Sequence, residues 1–204
     1  MKEYHKIQTL LVRDPETHKV IWPGDFRLPE YGYLSCLEWI WTEKIDGTNI
    51  RVIWDGERVE FRGRTDRAQI PPKLMIRLMN LFGDTAKWRG KFNYPVTLYG
   101  EGYGAGIQKG GGNYGPGQDF VLFDVHIGMW LQRHNVVNIA DYFGVRAAPY
   151  LGIGSLTDAI EFTRGGFYSD FGDFPAEGLV CRPRRELSDR RGNRIIAKIK
   201  TKDF

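Results

Sequence analysis

"WTEKIDGTNIRVIWDGERVEFRGR", residues 41–64, decides how the chain is to be read. From Asn49 onward apolar and polar residues alternate on both sides of Asp55-Gly56, a dipeptide favoured in two-residue type I′ turns, so this half predicts an antiparallel β-hairpin. Ahead of the hairpin, Lys44 and Asp46 interrupt what otherwise reads as an alternating, half-buried strand. An ammonium group beside a core is costly unless it has a task, and one available task is that of a nucleophile.

Working outward, "PPKLMIRLMNLFGD" carries Leu74, Ile76, Leu78, Met79, Leu81 and Phe82 behind a proline pair and predicts a helix closed by Gly83. "SLTDAIEFTRGG" opens on Ser155-x-x-Asp158, a cap-like pattern, and stops at Gly165-Gly166. "YPVTLYGE", "DFVLFDVHI", "EGLVCRP" and "RIIAKIK" read as strands. With no repeat, low-complexity tract or linker, residues 1–204 are expected to form one domain. The glycine-rich "GEGYGAGIQKGGGNYGPG" (100–117) lacks the ending of a P-loop and the setting of a dinucleotide fingerprint, and reads as a flexible surface loop.

Composition narrows the classes. The chain is 42% apolar and 14% aromatic, enough for a sizeable core, and its 25 glycines favour tight turns and β structure with some helices over a helical bundle. Cys36 and Cys181 are the only cysteines, in no paired or metal-like spacing, which fits a reducing, cytoplasmic setting, and the four histidines have no zinc-site spacing. No leader and no membrane-length apolar run is present, so no membrane partner is expected. The formal charge of +4 is unevenly spread: Cys181–Phe204 holds nine Lys or Arg against three acids. A basic segment of this kind suits a partner carrying phosphates, through counterion release, or is a solvated face.

Lys44-Ile45-Asp46-Gly47 has the form K-x-D-G, weak by itself, but it heads an ordered set: "EKIDGTN", "RGRTD", "LYGEGYGAGIQK", "FVLFDV", "EGLVCRP" and "AKIKTKDF". With these motifs the sequence resembles the covalent nucleotidyltransferases, the superfamily of ATP-dependent ligases and mRNA capping enzymes. Within it the chain is most similar to the phage RNA ligases that seal nicks in duplex RNA and to the kinetoplastid RNA-editing ligases. The resemblance implies an α+β adenylyltransferase domain in which two antiparallel β-sheets form a cleft flanked by helices. It implies ATP as AMP donor, Mg2+ or Mn2+, RNA ends or a nicked duplex as partner, and a monomer.

Position by position, the resemblance makes Lys44 the lysine that takes AMP in a phosphoramide bond, with its neighbours Glu43 and Ile45 in the nucleotide site. Arg64 resembles the arginine on the nucleotide sugar and phosphate, and Asn49 the asparagine after the G-T. Glu101 stands where a carboxylate binds the ribose hydroxyls, and Phe123 where an aromatic ring stacks on adenine. Glu177 is similar to the acid that helps hold the metal. Lys198 and Lys200, which share a strand face by their spacing, resemble the pair on the phosphate. Those cations are expected to favour a neutral Lys44 amine by like-charge repulsion. Duller readings exist: Arg64 as a partner for Asp66, Phe123 as core, Lys198 and Lys200 as a solvated face.

Two departures qualify the match. Asp46 stands where the RNA-ligase branch usually has a histidine or another residue and the wider ligase superfamily has aspartate, and Phe204 ends the chain where relatives continue into an accessory domain, so none is expected within this chain, be it a minimal ligase or a truncated one. A minimal DNA ligase, a GTP-using capping enzyme, or an inactive RNA-binding module of the same fold are the alternatives.

Overall fold

The hairpin of residues 49–64 forms with its tip displaced from the expected place. In the structure, a computed structural model describing residues 3–204, Trp54 pairs with Val59 and Asp55 N donates to Arg58 O at 3.3 Å, so Gly56-Glu57 rather than Asp55-Gly56 occupies the tip. The cause is the aspartate side chain: Asp55 Oδ1 accepts from Glu57 N (2.8 Å) and Arg58 N (2.9 Å), a local turn that places Asp55 ahead of the tip, while Gly56 supplies the φ of +111°.

In chain order the elements are β1 (Gln8–Thr9), α1 (Pro29–Tyr33), β2 (Trp39–Glu43), β3 (Thr48–Trp54), β4 (Val59–Arg62), α2 (Pro72–Phe82), α3 (Thr85–Lys91), β5 (Val96–Gly104), β6 (Gln118–His126), α4 (Arg133–Phe143), β7 (Arg146–Ala147), β8 (Tyr150–Gly154), α5 (Leu156–Gly165), β9 (Gly178–Pro183) and β10 (Ala197–Lys200). This is an α+β chain with two five-stranded sheets. It divides into two compact units, one of the residues up to His5 with Asp46–Ala148, the other of Lys6–Ile45 with Pro149–Phe204. The boundary falls inside the K-x-D-G stretch itself.

The first unit is built on the sheet β4-β3-β5-β6-β7, antiparallel except for the β6–β7 pair. Being central, β3 is covered on both faces from Ile50 to Trp54, where the sequence predicted half-burial. Ile50, Val52 and Trp54 enter a core with Leu74, Leu78 and Phe82 of α2 and with Trp88, Phe120 and Phe143, each such side chain contributing roughly 1.5–3 kcal/mol by leaving water. Arg51 and Ile53 lie on the opposite face. In α2 the apolar residues divide: Leu74, Leu78, Leu81 and Phe82 are buried, whereas Ile76 and Met79 fall off that stripe and are exposed.

The second unit carries the sheet β1-β10-β9-β2-β8. Leu10, Trp39, Trp41, Leu179, Cys181, Ala197 and Ile199 face a core closed by Tyr31 of α1 and by Leu156, Ala159 and Ile160 of α5. The start of α5 is the one read from Ser155-x-x-Asp158: Ser155 Oγ accepts from Asp158 N (3.1 Å), and Asp158 Oδ2 accepts from Ser155 N (3.0 Å). Cys36 is exposed and Cys181 buried, both as free thiols. Among the described residues no helix is long and apolar enough to cross a membrane.

Candidate active site

Strand alternation in the second unit sets up its polar cluster. Leu179 and Ile199 point into the core, so Lys198 and Lys200 share the other face of the sheet. Lys44 follows β2 directly, and its backbone N donates to Gly178 O at 2.8 Å, beside Glu177. Glu177 bridges the two outer cations: Oε2 accepts from Lys44 Nζ at 2.7 Å, and Oε1 pairs with Lys200 Nζ. Burial works against the charge of Glu177, but Lys44 and Lys200 outweigh it and hold the carboxyl below the ordinary carboxylate range. Lys198 is pushed down to about 8, first by burial and then by Lys44, Lys200 and Arg13. The like-charge effect expected at Lys44 is thus visible at Lys198, while Lys44 itself is engaged by a carboxylate.

Gly178 has a positive φ of +149°, and a Cβ there would stand 2.1 Å from Ile199 O. Only glycine lets β9 begin this close to β10, which is what brings Glu177 beside Lys200. Glu43 has a role its sequence position did not announce. It lies on the core side of β2, 2% exposed, and its carboxylate accepts from Ser169 Oγ (2.5 Å) and Asp170 N (2.9 Å), so the side chain secures the 169–170 loop. Ile45 is buried, and its carbonyl accepts from Lys44 Nζ at 3.4 Å.

The first unit carries Asn49, Arg64, Glu101 and Phe123. Asn49 and Glu101 are directly opposite each other across β3 and β5 and share a face. Asn49 Oδ1 is buried with no hydrogen-bond partner among the described residues, an acceptor awaiting a ligand or water. Phe123 sits in a β-bulge: Tyr99 pairs with Asp124 and Gly100 with Leu122, which leaves Phe123 the extra residue, half-buried and outside the main core. Its ring lies edge-on to Tyr4, 5.1 Å away, whose hydroxyl donates to Asp124 Oδ2 at 2.6 Å.

Arg64 is exposed and has no ion-pair partner among the described residues. Asp66, the partner the duller reading offered it, is taken by Arg51 (2.7 Å) and Arg62 (3.4 Å). Arg51 is 1% exposed, and its Nε also donates to Gly63 O at 2.9 Å, so a buried guanidinium grips the loop on both sides of Arg64. Sequence reasoning passed over Arg51 because it occupies a polar position of an alternating strand, where exposure was the expectation.

Of the glycine-rich stretch 100–117, Gly100–Gly104 belongs to β5, and the part beyond it is a largely exposed loop with ties of its own. It contains a short 3-10 turn at Gly111–Tyr114; Tyr114 Oη accepts from Asp46 N at 3.0 Å, and Gln108 Nε2 donates to Gly47 O at 2.9 Å. The backbone that follows the lysine is therefore held by this loop. Gly47 is needed for the close approach of β5, since a Cβ there would stand 2.2 Å from Gly102 O and 2.8 Å from Glu101 Cγ.

Among the described residues no group of three or more His, Cys, Asp or Glu could hold a metal ion, so no closed protein cage exists. One hard carboxylate, Glu177, faces a cluster of phosphate-seeking cations, and this suits Mg2+ or Mn2+, which keeps waters and takes most of its remaining ligands from substrate phosphates.

Comparison with known proteins adds an independent result. The RNA ligase family model matches residues 37–200. No curated protein matched the sequence. Among solved structures, an arginine-to-alanine mutant of Naegleria gruberi RNA ligase with ATP and Mn superposes with a TM-score of 0.67 at 20% identity, over 85% of this chain and 52% of that one. An aspartate-to-alanine mutant of the same enzyme, solved apo, gives 0.68 at 18% identity over 98% and 62%. The enzyme with PPi gives 0.67 at 18% identity over 97% and 61%. The chain thus spans 52% to 62% of the length of these three, and at such identities the likeness is one of fold. The family match, by contrast, takes in every candidate residue named from the sequence, and the chain belongs to the RNA ligase family.

Proposed function

We propose that the chain is the nucleotidyltransferase domain of an ATP-dependent RNA ligase that joins 3′-hydroxyl and 5′-phosphate ends, acting as a monomer on nicked duplex RNA. The observation that carries this is Glu177 held between Lys44 and Lys200, with Lys198 on the same strand face: three ammonium groups and one carboxylate form a net positive cluster around a potential amine nucleophile.

In the first step Lys44 Nζ attacks the α-phosphorus of ATP; an N–P bond forms and the P–O bond to pyrophosphate breaks. An RNA 5′-phosphate oxygen then attacks the same phosphorus and frees the lysine, and the 3′-hydroxyl displaces AMP to close the phosphodiester. Attack needs a free lone pair, so the Lys44–Glu177 ion pair must open and the ammonium must lose a proton first. Lys198 and Lys200 offer the triphosphate a counter-charge as negative charge moves onto the leaving group. Lys198, pushed down to about 8, also meets phosphate at low cost, because an arriving anion relieves the repulsion that depresses it.

The family resemblance assigns Asn49, Arg64, Glu101 and Phe123 of the first unit to the sugar, phosphate and base, and the Asn49 Oδ1 that has no hydrogen-bond partner among the described residues supports this. Phe123 offers a ring face, which stacks on any purine. Glu43, whose carboxylate is spent on Ser169 and Asp170, and the buried Ile45 flank Lys44 in the chain and are proposed to shape the nucleotide site without touching it through a free polar group. Glu177 would hold a divalent metal, which would supply Lewis-acid neutralisation of the phosphates.

Incubation with ATP and Mg2+ or Mn2+, followed by intact mass measurement, tests the reading. The expected result is a gain of one AMP, lost in Lys44→Ala and not replaced by GMP when GTP is offered; nicked RNA is sealed in preference to nicked DNA. An adduct retained in Lys44→Ala overturns the assignment.

A further inference from the structure

The chain between β9 and β10 leaves the sheet as a hairpin of its own, and its charge is not used by the cluster at Glu177. Ser188 and Arg194 form an antiparallel bridge, Ile195 N donates to Leu187 O (2.9 Å), and Asp189 N donates to Asn193 O (2.8 Å). The turn is tied by Asp189, whose carboxylate accepts from Arg191 N (2.8 Å), Asn193 N (2.7 Å) and Asn193 Nδ2 (2.9 Å), with Gly192 at φ +78°. At its base Arg194, nearly buried, makes a two-pronged ion pair with Glu186. Both acids of the hairpin therefore serve its own construction.

The arginines divide accordingly. Arg182 and Arg194 are built into the fold and Arg184 pairs with exposed Glu38 at 2.7 Å. Arg185, Arg190 and Arg191 are exposed, and no ion pair neutralises them among the described residues. Arg190 and Arg191 sit on a turn whose backbone is fixed by its own hydrogen bonds, with Arg185 ahead of its base, so this backbone loses little further freedom on binding, which separates the element from an ordinary solvated charge run.

Position then selects the ligand. Lys200 pairs with Gly178 and Ala197 with Cys181, so the hairpin leaves from the end of the ladder opposite Glu177. The six residues of β9 alone span roughly 17 Å at ~3.3 Å per residue, well beyond the reach of one phosphate group. A nucleotide held at Lys44 does not extend that far; a polynucleotide does.

We propose that Arg185, Arg190 and Arg191 form a docking surface for the phosphate backbone of the RNA substrate, several nucleotides from the joining site. This rests on the ligase reading for the identity of the polymer. Phosphate contacts carry no sequence information, so the surface fixes the placement of the strand and is indifferent to its bases.

The test compares the parent with a triple variant, Arg185→Ala, Arg190→Ala and Arg191→Ala, in binding nicked duplex RNA across a range of salt, and in forming the AMP adduct without RNA. Loss of three phosphate contacts is expected to reduce the slope of log affinity against log salt by about 2 to 3, equally for RNAs of different sequence. The adduct forms at the parental rate, because the hairpin lies away from Lys44. A second variant with lysine at all three positions retains most of the slope. An unchanged slope in the alanine variant, or a parent that does not bind RNA, overturns the proposal. A parent that binds RNA with the expected slope but never takes up AMP leaves the docking surface standing and removes the ligase reading instead.

Discussion

Lys198→Met should make the ligand-free protein more stable, although it removes a residue placed in the site. Lys198 has its ammonium among Lys44, Lys200 and Arg13, with Glu177 working in its favour, and stands at about 8 instead of its ordinary 10.5. At 1.36 kcal/mol per pH unit that difference amounts to at most about 3–4 kcal/mol, and since Lys198 is only partly buried, solvent screening brings it to about 1–2 kcal/mol. Methionine keeps the apolar stem and discards the charge. Below pH 8 the amine is charged in both folded and unfolded chains, so the parent bears the whole penalty; between about 8 and 10.5 only the unfolded chain holds the proton and the penalty fades. Thermal unfolding of parent and variant should therefore differ by about 2–8 °C in favour of the variant near neutral pH, for a chain of this size. The gap should shrink as pH rises toward 10.5. Formation of the AMP adduct should fall over the same comparison. A variant that melts below the parent at neutral pH, or a gap that does not change with pH, refutes the reasoning.

Glu177→Gln is expected to act in the opposite direction: Lys44 and Lys200 lose their counter-charge, and the cost is about 2–3 kcal/mol, below the ~3–5 kcal/mol of a fully buried pair because the side chains are 12–21% exposed. Urea unfolding reads it, and the parent's advantage is lost in acid as pH falls through the lowered Glu177 value, beneath its ordinary 4.5. Arg51→Met leaves Gly63 O without its donor and Asp66 with only the longer contact to Arg62, and should cost about 1–3 kcal/mol; because the loop around Arg64 loosens, adduct formation should suffer most at limiting ATP, and an equal loss at saturating ATP contradicts this. Tyr114→Phe deletes one hydrogen bond to Asp46 N, about 0.5–1.5 kcal/mol. If that bond holds the segment after Lys44, single-turnover adduct formation slows at saturating ATP, and a parental rate shows the hook to be dispensable.

Signals confined to a few neighbouring residues were legible before any coordinates. The Ser155-x-x-Asp158 cap, the alternation of β3 and β4, and the shared face of Lys198 and Lys200 all follow from backbone periodicity or from bonds between residues a turn apart. The order of the motifs likewise carried the family, since it needs no geometry. The hairpin tip was misplaced for a local reason, the aspartate side chain bonding to its own loop, which a dipeptide rule does not resolve.

What lay beyond the sequence depends on partners distant along it. Glu177 reaches Lys44 across 133 residues, and whether that amine meets a carboxylate or only cations is a matter of which strands pair. Burial of Arg51 on the supposedly open face, the inward turn of Glu43 toward Ser169, the bulge that displaces Phe123 and the hold of Tyr114 on Asp46 are equally products of packing. Residue identities and spacing state which groups are present and which side of a strand they take. Desolvation and charge pairing arise only when separate segments are brought within hydrogen-bond distance, and so the surroundings of this lysine were decided by the tertiary structure.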